Sequence, residues 1–537
     1  MEQKKNKLAE LSGFMTAVLF VLLFAGSVFI VSGRDYDLFD TYRKYWAIFT
    51  GLLLILHLCA VMYSGKGHMK LPIDILLKGI LCVGALEAIY ALAQFFRYLP
   101  SYNRYYAYTG SFENPAIFAM LLSVCVPTAV FYALNESATL RKRLLWWMYS
   151  LGLLVFISFS ESRTGLIAAV LSSVIIALFE SGRLKKRLFR LKTVAIVLPL
   201  TIISLYLVYR FKEDSANGRI LIWRVVLDMV KEKPLFGYGP GGFTAKYMEF
   251  QAEYFLNNPE SVFLLLADNV NNPFNEYLSV LVNYGLAGLA VLSVLMVYTI
   301  KRLCVIEKPY RSVMTGLAIV LGIWSFFSYP FSVPFIWVVA LLILFVAYYN
   351  DIQRTYRYSC PILFIACIAG MMLTFHGFTP EREWKRASYR SQNGDADIVL
   401  YDYPVLYDRL SSNYRFLYNY GAELHYYGHY EESLAVLEQC SSRLNDYDVQ
   451  MLIGDCMQHI GDTIGAIERY RYAGSMVPSK FLPLYYIMNL YITAGDTVQA
   501  VQVADLILHK EVKIDKSKAV QRIIREAGEI IQLEKMK

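Results

Sequence analysis

The feature that most restricts the fold of this chain is a series of long apolar runs. Each run is about long enough to cross a hydrocarbon core of roughly 30 Å as an α-helix. The whole sequence agrees, since 56% of its 537 residues are hydrophobic and its mean hydropathy is +0.39, values too high for a soluble protein of this length. We therefore predict an all-α, polytopic membrane protein with about 11 transmembrane helices. The predicted spans are 12–32, 44–63, 74–97, 114–134, 143–160, 164–181, 191–210, 276–299, 312–329, 332–349 and 358–376.

Lysine and arginine are concentrated in alternate loops between these predicted spans. The positive-inside rule places such loops on the cytoplasmic side. An odd number of spans then puts the N-terminus in the cytoplasm and the C-terminus outside it. This asymmetry accounts for most of the net charge of +8, so the charge does not indicate nucleic-acid binding. The basic loops contain Lys4, Lys5 and Lys7; Lys66 and Lys70; Arg141, Lys142 and Arg143; Arg183, Lys185, Lys186, Arg187, Arg190 and Lys192; Lys301, Arg302, Lys308 and Arg311; and Arg354 and Arg357.

The tail of the chain, from about residue 380, is polar and has the periodicity of helices. Similar segments begin at Gly428, Gly461 and Gly495, which are 33 and 34 residues apart. The fifth residue after each glycine is small, and these small residues are Ser433, Ala466 and Ala500. The pattern resembles tetratricopeptide repeats, which are pairs of helices stacked into a solenoid.

Two domains are therefore expected. Residues 1–376 form a membrane domain with a large outer loop at 211–275, and residues 380–537 form an extracytoplasmic helical-repeat domain. The repeats are either a docking surface for an acceptor or a protein partner, or a cap that stabilises the membrane domain. A disulfide between Cys440 and Cys456 is permitted outside the cytoplasm and is left open. Zinc-ligand spacing, a Walker loop and a dinucleotide fingerprint are absent from the sequence, so a pump driven by ATP is not expected unless a partner supplies the motor. We also expect no cofactor.

The large outer loop carries an unusual stretch, "NGRILIWRVVLDMVKEKPLFGYGPGGF". Its apolar part, 220–230, is too short to span a membrane and is expected to lie at the interface or to pack under the loop. Asn217-Gly218 is predicted to be a turn that leaves Arg219 at a helix start. An arginine there would be better placed with an anion between it and the free backbone N–H groups. The alternative is an ordered loop on lipid, with Arg219 near the headgroups.

Other polar residues lie at the outer ends of the predicted spans. "SESRTG" places Arg163 at the mouth of one span, with Glu161 as a candidate partner, and "FNEYL" places Glu276 at the start of another. Two arginine forks are suited to a diphosphate. A carboxylate near them could take a proton from an acceptor hydroxyl.

Four segments in this order resemble successive motifs of the O-antigen ligase and O-antigen polymerase superfamily, which also includes bacterial protein O-oligosaccharyltransferases. The segments are "FENPAIFAMLL", "SESRTGLIAAV", "NGRILIWRVVLDMVKEKPLFGYGPGGF" and "FNEYLSVLVNYGLAGL", and the resemblance covers roughly residues 10–376. It implies a multi-pass, inverting glycosyltransferase of the bacterial inner membrane. Such an enzyme takes an undecaprenyl-diphosphate-linked glycan on the periplasmic face and needs neither a metal nor a nucleotide sugar.

The resemblance also implies roles for individual residues. Arg163 and Arg219 match the family's arginines that hold the diphosphate. The family often has a histidine just before N-E-Y-L, but Phe274 stands there, and none of the seven histidines lies in this loop. Either Glu276 takes the role of base or the acceptor is activated differently. Asn114, Trp223 and Asn275 complete the predicted substrate-binding residues.

The function that these features favour is that of an O-antigen or surface-polysaccharide ligase. The expected partners are the lipid-linked donor, membrane lipid, an acceptor, and a protein bound through the repeats. The acceptor is lipid A core, a growing glycan or a protein. The alternatives are an O-antigen polymerase and a protein O-oligosaccharyltransferase. Two other classes are a flippase for polyprenyl-linked glycans and a membrane-anchored scaffold. A flippase is disfavoured because the predicted mid-span regions contain few charged residues, of which Glu87 is one. A scaffold is disfavoured because it would not need the outer arginines.

Overall fold

The computed structural model of the protein describes residues 2–30, 40–63, 72–135, 139–180, 213–306, 310–395, 397–514 and 517–535. Within these ranges the regular structure is entirely helical, which confirms the predicted all-α class. The helices are α1 (Glu2–Phe29), α2 (Asp40–Tyr63), α3 (Ile73–Phe95), α4 (Pro115–Asn135), α5 (Leu140–Phe159), α6 (Arg163–Glu180), α7 (Glu213–Glu232), α8 (Gly242–Asn257), α9 (Glu276–Val305), α10 (Tyr310–Phe327), α11 (Pro334–Gln392), α12 (Asp397–Leu410), α13 (Tyr414–Tyr426), α14 (Tyr430–Ser441), α15 (Tyr447–Ile460), α16 (Thr463–Met476), α17 (Leu482–Thr493), α18 (Thr497–His509) and α19 (Lys518–Lys535).

Nine helices in the described part of the chain are long and apolar enough to cross a membrane. They correspond to nine of the predicted spans. The predicted span at 191–210 lies outside the described residues. The one at 332–349 corresponds to a shorter apolar stretch, Pro334–Tyr349, at the start of α11. The nine are Leu11–Phe29, Thr41–Met62, Ile73–Phe95, Pro115–Asn135, Leu140–Phe159, Arg163–Glu180, Glu276–Val305, Tyr310–Phe327 and Cys360–Gln392.

The chain divides into two compact units. The first unit comprises Met1–Val208 and Leu292–Thr379, and the second comprises Tyr209–Val291 and Pro380–Lys537. The second unit therefore combines the large loop with the polar tail, although more than eighty residues of membrane-spanning sequence separate them along the chain. The predicted division at residue 380 treats the tail as a domain of its own, and its independence stays a prediction.

The core of the first unit is built around α4. This helix is apolar all round and almost wholly buried, as expected of a helix surrounded by other helices; it packs against α3, α5, α6 and α10. A polar network lies in this unit as well. Arg43 donates to the Ser111 carbonyl at 2.6 Å, and the Ser111 N–H donates to the fully buried carboxylate of Glu87 at 2.9 Å. Glu87 therefore holds the loop that precedes α4.

The tail contains three consecutive helical hairpins, α13–α14, α15–α16 and α17–α18. The repeated glycines Gly428, Gly461 and Gly495 lie at the three hairpin turns, with φ of 84°, 94° and 76°. The small residue that follows each turn is buried in every copy: Ser433, Ala466 and Ala500. The sequence repeat thus corresponds to a repeated helix–turn–helix unit, whose identity as a tetratricopeptide repeat stays a prediction.

The two cysteines of the tail are free thiols. The Cys440 thiol donates to the Tyr414 carbonyl at a sulfur–oxygen distance of 3.4 Å, and the Cys456 thiol donates to the Ser433 hydroxyl at 3.2 Å. Each thiol has its own partner, so the disulfide left open by the sequence is not formed.

The loop and the tail share one hydrophobic core within the second unit. Tyr247 of α8 and Tyr470 and Met476 of α16 belong to the same buried cluster. Gln251 of α8 lies within this core and is fully buried. Its amide donates to the Met476 carbonyl at 2.7 Å and to the Asp268 carbonyl at 3.2 Å, and its side-chain oxygen accepts from the Tyr247 hydroxyl at 2.8 Å.

Gln251→Leu is expected to lower the free energy of unfolding of the second unit by about 1–3 kcal/mol, because buried carbonyls lose their donor. The measurement is chemical denaturation of the detergent-solubilised protein, followed by tryptophan fluorescence. The control is Glu249→Ala on the same helix, where the carboxylate is half exposed and pairs with Lys246 at 2.9 Å. Equal midpoints for the two variants would contradict the assigned role of Gln251.

Candidate active site

Helix α7 presents Arg219 and Trp223 on one face, since residues four apart lie one turn above each other. The predicted turn at Asn217-Gly218 is wrong, because α7 begins at Glu213 and both residues are helical. Arg219 therefore lies in the second turn and not at the helix start. The expectation that an anion binds between Arg219 and the free N–H groups of a helix start is thus not supported. Leu221, Val225 and Met229 of α7 are buried. The apolar part of α7 therefore packs under the loop, which is one of the two placements predicted from the sequence.

The segment just before α9 lies against this face of α7. The indole N–H of Trp223 donates to the Pro273 carbonyl at 3.0 Å. The guanidinium carbon of Arg219 lies 5.5 Å from the centre of the Phe274 ring, within the range of a cation–π contact. Tertiary structure thus brings together two motifs that are about fifty residues apart in the sequence.

Phe274 has an unusual backbone. Its φ is 50°, in the left-handed region that bulky residues avoid, and its N–H donates to the Asn272 side chain at 3.2 Å. Such backbone strain costs roughly 1–3 kcal/mol and is concentrated at functional sites. The aromatic side chain at the family's histidine position is therefore held in a defined place beside Arg219.

Asn275 and Glu276 form the start of α9. The side-chain oxygen of Asn275 accepts from the Leu278 N–H at 3.0 Å, and the residue is only 5% exposed. Asn275 thus caps the helix, and a contact with substrate stays a prediction. Glu276 lies in the first turn and is partly exposed, where an acidic side chain interacts favourably with the helix dipole.

The glycine-rich turn after α7 supports the same region by pairing with α9. The N–H groups of Tyr238 and Gly239 donate to the carbonyls of Val282 and Asn283, both at 2.9 Å. A β-carbon on Gly237 would lie 2.3 Å from the Val282 carbonyl oxygen. Gly285, where α9 is kinked with a φ of 63°, approaches Leu235 as closely. Glycine is needed at both positions because two backbones touch there.

Arg163 is the first residue of α6 and is partly exposed. The turn before it is shaped by the Ser162 hydroxyl, which accepts from the Gly165 N–H at 3.2 Å, and by Glu161, whose φ is 55°. Glu161 accepts from the Tyr106 hydroxyl at 3.4 Å, a partner that the sequence did not suggest. The proposed pairing of Glu161 with Arg163 stays a prediction.

Asn114 caps α4, since its side-chain oxygen accepts from the Ala116 N–H at 2.9 Å. The loop that contains Tyr106 precedes it and is tied to it, because Asn103 donates to the Glu113 carbonyl at 3.0 Å. The Tyr106–Glu161 contact places this loop and the turn before Arg163 at the same end of the first unit. Asn114 thus has a structural role, and its contact with substrate remains to be tested.

The structure places the predicted site residues in two groups. Asn114 and Arg163 belong to the first unit, whereas the second unit contains Arg219, Trp223, Asn275 and Glu276. Sequence reasoning missed Tyr106 and the conformation of Phe274. The sequence signal at Phe274 is that a bulky residue follows proline in "NNPFNEYL". That pattern does not predict a positive φ.

Residues 148–293 match the model of the O-antigen ligase family. The matched region includes Arg163, Arg219, Trp223 and Glu276, while Asn114 precedes it. No curated protein matches the sequence. Together with the apolar helices, the match supports a multi-pass membrane protein that transfers glycans in polysaccharide biosynthesis. Residues 148–293 are therefore similar to an O-antigen ligase domain, which confirms the predicted resemblance to the O-antigen ligase superfamily.

Proposed function

We propose that this protein is a surface-polysaccharide ligase that transfers a glycan from undecaprenyl diphosphate to an acceptor hydroxyl on the periplasmic face of the inner membrane. The observation that carries the proposal is the packing of Arg219 and Trp223 against the segment that leads into Glu276. Two partly buried contacts thereby bring the helix that carries the cation against the segment that leads into the carboxylate, although the two groups belong to different motifs.

Arg163 and Arg219 bind the diphosphate of the donor in this proposal. Each guanidinium offers a planar fork of donors that matches phosphate oxygens. As the bond between the anomeric carbon and the diphosphate breaks, negative charge develops on the leaving oxygen, and the two cations stabilise it. The contact with Phe274 restricts the Arg219 side chain before the donor arrives, so less rotational entropy is lost on binding.

Glu276 accepts the proton of the acceptor hydroxyl. That hydroxyl oxygen attacks the anomeric carbon from the face opposite the diphosphate, a new glycosidic bond forms with inversion, and undecaprenyl diphosphate leaves. The rigid cap at Asn275 fixes the direction in which the first turn of α9 presents Glu276. Positioning of this kind is what a general base requires.

The tail supports a ligase with a large acceptor and a periplasmic C-terminus. It shares a core with the loop that carries Arg219, and two such segments fold together only on the same side of a membrane. The hairpins would then flank the reaction and offer an extended surface to the acceptor. A polymerase and a protein O-oligosaccharyltransferase would use the same chemistry with another acceptor.

The test is deletion of the gene, followed by analysis of surface glycans and by complementation with the wild-type gene. We expect lipid A core to lose its attached polysaccharide while lipid-linked polysaccharide accumulates. Loss of long chains alone would instead identify a polymerase, and loss of protein glycans an oligosaccharyltransferase. The glycan-transfer proposal would be rejected if the purified protein formed no glycosidic product from lipid-linked donor and each acceptor class, as expected of a flippase.

A further inference from the structure

Three metal-ligating side chains meet between the first two hairpins of the tail. His425 lies on α13, and Asp455 and His459 lie on α15. One ligand atom from each of the three residues lies within 4.8 Å of the others. The spacing of Asp455 and His459, four residues apart on a helix, directs both side chains to the same face.

Hydrogen bonds already hold these groups in place. One carboxylate oxygen of Asp455 lies 2.5 Å from Nε2 of His425, and the other lies 3.8 Å from Nδ1 of His459 and accepts from the Tyr470 hydroxyl at 3.4 Å. Nδ1 of His459 also lies 2.8 Å from the Asp455 carbonyl oxygen.

Tyr430 of α14 fixes both imidazole rings. It stacks on His459 at 4.2 Å between ring centres and meets the edge of His425 at 5.5 Å. His425 and Asp455 are mostly buried, at 21% and 25% side-chain exposure, whereas His459 is 40% exposed. The cluster thus has a rigid wall and one side open to solvent, through which an ion could enter.

We propose that His425, Asp455 and His459 bind a divalent transition-metal ion of the zinc type, which joins the first hairpin to the second. Two imidazole nitrogens and a carboxylate oxygen are a donor set that zinc accepts in tetrahedral geometry, with the fourth position left for water. The hydrogen bond from the Tyr470 hydroxyl to Asp455 and the contact of His459 Nδ1 with a backbone carbonyl are of the kind that orient metal ligands. The site lies in the tail and is independent of the proposed glycan transfer, which uses no metal.

The test uses full-length, detergent-solubilised protein without an oligohistidine tag, stripped with a chelator and titrated with zinc sulfate. We expect one bound zinc per chain and a higher midpoint of thermal unfolding with zinc. His425→Ala, Asp455→Asn and His459→Gln should each weaken zinc binding by more than about tenfold, since even residues outside a metal's ligand set contribute about 10–100-fold. The zinc-dependent rise in midpoint should disappear in all three.

The matched control is His509→Ala. His509 and Asp505 have the same four-residue spacing on α18, with 3.4 Å between nitrogen and oxygen, but are not part of the three-residue cluster. Zinc affinity should stay unchanged in this variant. The proposal is overturned if the wild-type protein binds no stoichiometric zinc, or if His459→Gln, a change at a partly exposed side chain, retains wild-type affinity. Equal weakening by His509→Ala would also overturn it, as binding would then be surface adsorption.

Discussion

Arg219→Ala is expected to reduce glycan transfer by roughly 10²–10³-fold, the loss typical of removing one preorganised group that stabilises developing charge. Arg163→Ala should have an effect of similar size, because the proposed mechanism assigns both guanidiniums to the same diphosphate. Lysine at either position should restore little activity, since a point charge does not replace a planar fork. The measurement is the rate of transfer from a lipid-linked donor by purified variants in proteoliposomes.

Arg224→Ala is the matched control for this experiment. Arg224 lies on the same helix as Arg219, but it is exposed and its guanidinium lies over Tyr254, 5.4 Å from the ring centre. Its loss should leave transfer within about twofold of wild type, as is usual for a surface charge away from the chemistry. The proposed binding of the diphosphate by the two arginines is wrong if Arg219→Ala and Arg163→Ala both retain wild-type rates of transfer. It is also wrong if Arg224→Ala lowers the rate as much as either of them.

Glu276→Gln is expected to lower turnover by roughly 10²–10⁴-fold, the contribution typical of a general base. Glutamine keeps the shape of the side chain, so donor affinity should change little. Loss of the interaction with the helix dipole costs only about 0.3–1 kcal/mol, too little to explain such a loss of turnover. Turnover and donor affinity are therefore measured separately, with Glu249→Gln on the surface of α8 as control.

Phe274→Ala distinguishes the role of Glu276 as general base from the effect of the packing of the neighbouring Phe274 ring. It removes the ring that lies over Arg219 and should weaken donor binding moderately, with a smaller effect on turnover than Glu276→Gln. Near-normal turnover in Glu276→Gln would exclude Glu276 as the base. The two arginines and an acceptor held in a desolvated position would then account for the reaction.

The membrane spans could be predicted from sequence because they depend on a local property. A run of apolar residues long enough to match the hydrocarbon core will form a helix there whatever its neighbours are, and nine of the predicted runs are such helices in the described chain. The same holds for the tail hairpins, since each turn needs a residue that adopts a positive φ, and glycine recurs at that spacing.

The start of α7 could not be predicted in this way. Asn217-Gly218 has the composition of a turn, but burial of Leu221, Val225 and Met229 stabilises a helix that extends back to Glu213. A glycine inside a helix destabilises it by about 1 kcal/mol. This is less than the stabilisation that comes from burying these apolar side chains. Tertiary packing overrode a weak local preference.

The sequence by itself determined the class of fold, the repeat and the motifs that carry Arg163, Arg219 and Glu276, because these are properties of short segments. Only the tertiary structure decided that the loop shares a core with the tail, that Phe274 lies over Arg219 with a left-handed backbone, and that His425 meets Asp455 and His459. Each of these depends on contacts between segments far apart in the chain. Local patterns do not encode such contacts, since the energy that selects them arises only when both partners are buried together.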